Sequence, residues 1–117
     1  MKFEVVFYEE GNKRPVERFL NELPVKKRAK VVGYLTVLEE KGNTVREPYS
    51  KYLRDGIYEL RCDNIRLLYF FTNNRIIILT NGFIKKTNKL PAKELLTAIL
   101  RRKEYLERNS NENIKRI

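Results

Sequence analysis

The sequence predicts an α+β domain of the order β-α-α-β-β-β-α, a small, mostly antiparallel sheet with helices packed on one face. Three observations lead there. Apolar runs bounded by turn residues mark strands at residues 2–8, about 51–61, 65–72 and 75–81. Helically spaced apolar residues follow Pro15, Pro24 and Pro91. The turn signals Asp63-Asn64 and Asn73-Asn74 leave no room for crossovers, so the last three strands form a meander.

Each element has a local reason. The first strand, KFEVVFY, is β-branched and aromatic, with charge only near its start. Gly11-Asn12 breaks it. Val16, Phe19, Leu20 and Leu23 then recur at i, i+3, i+4 and i+7, one face of a helix opened by Pro15. Pro24 begins a second helix to about Lys41, with Val31, Tyr34, Leu35 and Leu38 as its stripe and Gly42 as its stop. Residues 43–50 are a connection. Asp55-Gly56 interrupts the next strand as a turn or a bulge. IRLLYFF and RIIILT are apolar on both faces and belong in the middle of the sheet. Residues 82–90, GFIKKTNKL, form a basic loop. Pro91 opens a last helix with Ala92, Leu95, Leu96, Ile99 and Leu106 towards the core. Residues 1–108 make one domain, and 109–117 a flexible tail without periodicity.

Composition narrows the function classes. At 117 residues and 42% hydrophobic, the chain suits a single core. The net charge is +10, and residues 51–117 carry +8 of it. A basic field of this kind attracts nucleic acid or acidic proteins. There is no histidine and one cysteine, which removes the commonest general base, a structural zinc and an internal disulfide. Cys62 lies in a strand pattern and reads as a small buried hydrophobe. One free thiol, no signal-like N-terminus and no membrane-length apolar run point to the cytoplasm and away from a membrane.

Strand alternation gathers the charges. A two-residue turn at Asp63-Asn64 pairs Cys62 with Ile65, Arg61 with Arg66, Leu60 with Leu67 and Glu59 with Leu68. Arg61 and Arg66 then sit opposite each other on the polar face, while Leu60, Leu67 and Phe71 face the helices. Like charges in that relation repel. Glu59, on the same face, can neutralise Arg61, a surface pair worth roughly 0–1 kcal/mol. Lys85 and Lys86 of the basic loop reach the same end of the sheet. Together they make an anion clamp, since arginine grips phosphate through paired donors and lysine adds a mobile charge. The plainer reading of the arginines is a solvated strand face. Phe83 is a candidate base-stacking surface, whereas Tyr58 and Tyr69 fall on the core side.

The order and spacing of LRDGIYELR at 53–61, IRLLYFF at 65–71 and TNGFIKKTNKLP at 80–91, followed by a helix with Ala98 and a KEYL ending, resemble the RelE/ParE superfamily of toxin–antitoxin toxins. The likeness is greatest to its phage-derived HigB-like branch and covers roughly residues 1–107. The resemblance implies a ribosome-dependent endoribonuclease that cuts mRNA in the A site without a metal or other cofactor. The ribose 2′-OH attacks the adjacent phosphate, leaving a 2′,3′-cyclic phosphate and a 5′-OH. It implies the ribosome and mRNA as partners, a HigA-like helix-turn-helix antitoxin, and operator DNA only through the antitoxin complex.

On this reading Arg61, Arg66, Lys85 and Lys86 are the catalytic candidates. The arginines stabilise the phosphorane charge, and either lysine adds charge or moves a proton as base or acid. Lys51, Arg54, Phe83 and Lys89 are the candidates for RNA binding. Two departures stand out: some HigB relatives use histidines where this chain has none, and Thr87 stands where a loop tyrosine would serve. The superfamily also contains gyrase inhibitors on its ParE side, and an inactive RNA-binding relative is a further alternative.

Overall fold

The computed structural model describes residues 2–116, with side chains through Asn109. Strand β1 (Glu4–Phe7) leads to helices α1 (Pro15–Asn21) and α2 (Val25–Lys41). Strands β2 (Ser50–Arg54), β3 (Ile57–Cys62), β4 (Ile65–Phe71) and β5 (Ile76–Ile84) follow, then helix α3 (Ala92–Arg116). The sheet order is β1-β5-β4-β3-β2. β1 runs parallel to β5 and every other pair is antiparallel. None of the described helices is long and apolar enough to cross a membrane.

The α+β class and the mostly antiparallel sheet agree with the sequence, and the strands that read apolar on both faces occupy its centre. Four details differ. The expected strand 51–61 is a hairpin of two strands, because Gly56 takes φ +81° and Asp55 φ +52°, which reverses the chain. The strand expected at 75–81 runs instead from Ile76 to Ile84, so the first three residues of the expected loop belong to it. Asn74 and Arg75, both at positive φ, lengthen the preceding turn and delay its start.

The third difference matters most. The helices do not share one face. α1 and α2 cover one side, where Val16, Leu20, Val31 and Leu38 pack with Leu60, Leu67, Tyr69 and Leu79. α3 covers the other, where Ala98, Leu95 and Ile99 pack with Ile57, Leu68, Phe70 and Ile78. The physical reason lies in the strands themselves. Leu68 and Phe70 alternate onto the second face and are fully buried there. Burying each is worth about 1.5–3 kcal/mol, so that face demands a cover.

The fourth concerns α3. Its inner stripe is Leu95, Ala98, Ile99 and Tyr105, while Ala92, Leu96 and Leu106 are exposed. Arg102 occupies a position on that inner stripe, with its guanidinium 5.9 Å from the Phe70 ring. Arg101 donates to the Thr80 carbonyl at 2.8 Å. Arginines therefore bind α3 to the sheet through their stems and flat heads, which hides the stripe from a purely apolar pattern. The expected boundary between a domain ending at 108 and a tail of 109–117 falls almost wholly on residues whose side chains are outside those described.

Candidate nucleic-acid interface

The β3–β4 hairpin sets the geometry. Its two-residue turn places Asp63 at φ +57°, a conformation that aspartate tolerates better than most residues. The register is Cys62 with Ile65, Arg61 with Arg66, Leu60 with Leu67 and Glu59 with Leu68, as alternation and turn length predict. The thiol of Cys62 is buried, and burial raises its pKa.

The two opposed arginines share one carboxylate. Glu59 is 1% exposed. Its Oε1 accepts a 2.8 Å hydrogen bond from Arg61 Nε, and its Oε2 lies 3.8 Å from Arg66 Nε. Arg66 Nη1 donates to the carbonyls of Asp63 at 2.6 Å and Ile65 at 3.1 Å. Arg66 Nε is buried without a hydrogen-bond partner among the described residues. The pair is thus no open solvated face. One negative charge sits between two positive ones, and the trio keeps a net charge of one positive unit.

The basic loop closes on the same turn. β5 pairs with β4 as far as Ile84 opposite Ile65, and the Lys85 N–H then donates to the Asn64 carbonyl at 2.7 Å. This brings Asp63, Asn64, Arg66, Lys85, Lys86, Thr87 and Asn88 around an open cleft of about 400 Å³. Three cations and one carboxylate line it. That carboxylate is itself held from outside. Lys30 Nζ of α2 lies 2.9 Å from both Asp63 oxygens, and the hydrogen bond raises the pKa of Lys30. An anion suits such a lining, with the edge of the Arg66 guanidinium left free by the backbone carbonyls on one wall and mobile ammoniums on the other.

Arg66, Lys85 and Lys86 are therefore brought together. Arg61 joins them only through Glu59. Lys51 is exposed on β2 opposite Glu59. Arg54 pairs with Asp55 at the other end of β3, about 17 Å from the cleft by strand rise. Lys89 is exposed in the loop and its carbonyl accepts from Thr87. Phe83 is not a stacking surface. It is 8% exposed and packs into the core under α3, because its pairing with Arg66 directs it to the covered face.

Sequence reasoning missed Lys30, Asn64 and Asn88. Lys30 is distant in sequence from the turn it touches, and no spacing rule links them. A larger hollow of about 560 Å³ lies between α2 and residues 44–49, lined by Tyr34, Val37, Val45 and Tyr49 with Lys41, Arg46 and Glu47. Its charges are mixed and its walls apolar, so the smaller cleft is the better anion site.

The family model described as "Phage derived protein Gp49-like (DUF891)" matches residues 18–103. Among solved structures, the chain is similar to the toxin–antitoxin complex RelBE2 from Mycobacterium tuberculosis. The TM-score is 0.56 at 21% identity, covering 73% of this chain and 100% of that one. No curated protein matches the chain.

Proposed function

Given that the chain belongs to the phage-derived Gp49-like family, within the RelE/ParE-type toxin superfamily, we propose that it is the toxin of a toxin–antitoxin pair. Its activity on this reading is ribosome-dependent cleavage of mRNA in the A site. The observation that carries the proposal is the convergence of Arg66, Lys85 and Lys86 on one open cleft.

The reaction asks three things of the protein. The 2′-oxygen forms a bond to phosphorus as its proton leaves, the P–O5′ bond breaks, and the 5′-oxygen takes up a proton. No electrons leave the substrate, and the products are a 2′,3′-cyclic phosphate and a 5′-OH. On this reading Arg66 neutralises charge on the non-bridging oxygens as the phosphorane forms. Its guanidinium is held before substrate arrives, Nη1 by two backbone carbonyls and Nε beside Glu59, which leaves Nη2 for the substrate. Lys85 and Lys86 supply further charge and are the candidates for both proton transfers, one taking the 2′-OH proton as base and the other passing a proton to the leaving oxygen as acid. An antitoxin partner belongs to the same proposal, since the structural relative is a toxin–antitoxin complex.

The test is expression of the wild type from a tightly controlled promoter, with 5′ ends of cellular mRNA mapped alongside plasmid supercoiling. Growth arrest with in-frame mRNA cuts and unchanged supercoiling is expected. Arrest with trapped gyrase breaks and intact mRNA would replace the nuclease with a gyrase inhibitor. Absence of arrest would leave an inactive RNA-binding relative.

A further inference from the structure

α2 carries charge where its own stability does not want it. Lys26, Lys27 and Arg28 occupy its first turn, with no acidic residue there and no side-chain cap. The helix macrodipole is positive at this end, so cations there are unfavourable. Residues 23–38 contain four basic and no acidic side chains. Lys26 and Lys27 are exposed and form no ion pair among the described residues. Intrahelical electrostatics do not explain them.

Their position does. Lys26 and Lys30 are four apart and share one helix face. Lys30 touches both Asp63 oxygens, and Asp63 lines the anion cleft. From Lys30, Lys26 is about 6 Å further along the helix. A row of basic side chains thus leaves the cleft at the hairpin turn and continues along α2, with Lys30 neutralised by Asp63 and Lys26 beyond it unpaired among the described residues. Of the exposed apolar residues of this helix, Val25 and Val32 are seven apart and form a separate stripe, while Val37 lies on the lysine side two turns beyond Lys30. Between Lys26 and Lys30 this face carries cations and no exposed large apolar side chain, which fits a phosphate backbone better than a protein surface.

We infer that Lys26 and Lys27 form a second RNA-backbone contact, continuous with the cleft, that engages the strand beyond the phosphate held by Arg66. This rests on the reading of the cleft as an RNA site. Lysine suits the task because its flexible stem follows an irregular backbone without demanding one geometry.

Length dependence tests it, using uncleavable 2′-O-methyl oligoribonucleotides, a tetramer and a dodecamer, with the full chain. The wild type should bind the dodecamer more tightly, with a steeper salt dependence. In Lys26→Ala/Lys27→Ala the dodecamer's log–log salt slope should fall by about 1.4, at roughly 0.7 per phosphate lost. The tetramer should be unaffected. Lys26→Glu/Lys27→Glu should erase the advantage of the longer strand while leaving the thermal midpoint unchanged or higher. A stability gain with a binding loss is the signature.

Equal wild-type affinity for both lengths, or full dodecamer affinity in the variants, would overturn the inference and leave the cleft standing. So would an equal loss for both lengths, which marks only a diffuse field. Variants that keep the dodecamer but lose poly-glutamate would assign the face to acidic proteins and overturn it too. If the wild type binds neither oligonucleotide at low salt, the RNA reading of the cleft itself fails.

Discussion

Glu59 Oε1 accepts a 2.8 Å hydrogen bond from Arg61 Nε while the carboxylate is all but removed from solvent. The same carboxylate faces Arg66 across the strand pair. Two like charges directly opposite on adjacent strands are tolerated because a third group of opposite sign lies between them. A buried carboxylate between arginines adds little net stability over apolar packing, but it is costly to break.

Glu59→Ala should therefore destabilise more than removal of either arginine alone. It leaves two opposed guanidiniums without their counter-charge, at a cost of about 3 kcal/mol or more. Arg61→Ala leaves Glu59 with Arg66 and should cost less. Urea denaturation of both variants checks the order. A Glu59→Ala protein as stable as the wild type would mean that the carboxylate does not hold the pair.

Tyr69 makes stability sensitive to alkali. Burial pushes its hydroxyl up to about 12, and the hydroxyl shares a 2.5 Å hydrogen bond with Ser50. The folded state therefore keeps a proton that the unfolded chain loses near pH 10. This contribution is intact below about pH 10 and declines as the pH rises towards about 12, by roughly 2–3 kcal/mol in all. Tyr69→Phe should lose about 1 kcal/mol at neutral pH from the missing hydrogen bond. It should also show a shallower alkaline decline. Tyr8, also raised to about 12 by burial and by its hydrogen bond to Glu104, would supply what remains. Guanidinium melts at a series of pH values measure both effects, and parallel alkaline limbs would contradict the assignment.

Asp63 is the one carboxylate in the cleft lining. Asparagine tolerates the same positive φ, so Asp63→Asn should fold normally. It removes a negative charge from an anion site and frees Lys30. Affinity for an uncleavable oligoribonucleotide should rise at low salt, and the gain should shrink as salt is added. Weaker binding would mean that Asp63 receives a hydrogen bond from the RNA.

The hairpin at the centre of the site was legible because two periodicities agreed. Side-chain alternation and the Asp63-Asn64 turn both placed Arg61 opposite Arg66, and the register follows. The cover on that face was legible only in part. IRLLYFF and RIIILT read as apolar on both sides, which implies protein on both sides, yet Arg61, Arg66 and Glu59 made one side look polar. The charges are partly buried because they neutralise one another, a relation that a pattern of polar and apolar letters does not express. The inner face of α3 was obscured in the same way by Arg102. The contact of Lys30 with Asp63 joins a helix to a turn across 33 positions, and nothing local announces it.

The central claim is that Arg66 acts on a phosphate in the cleft. The direct measurement combines purified protein with ribosomes carrying a defined mRNA, and determines both the cleavage rate and the chemistry of the new ends. The wild type should leave 2′,3′-cyclic phosphate and 5′-OH ends. A folded Arg66→Ala variant should cleave roughly 10²–10³-fold more slowly, the usual loss for one charge-stabilising donor. A folded Arg66→Ala variant that cleaves at the wild-type rate would contradict the account.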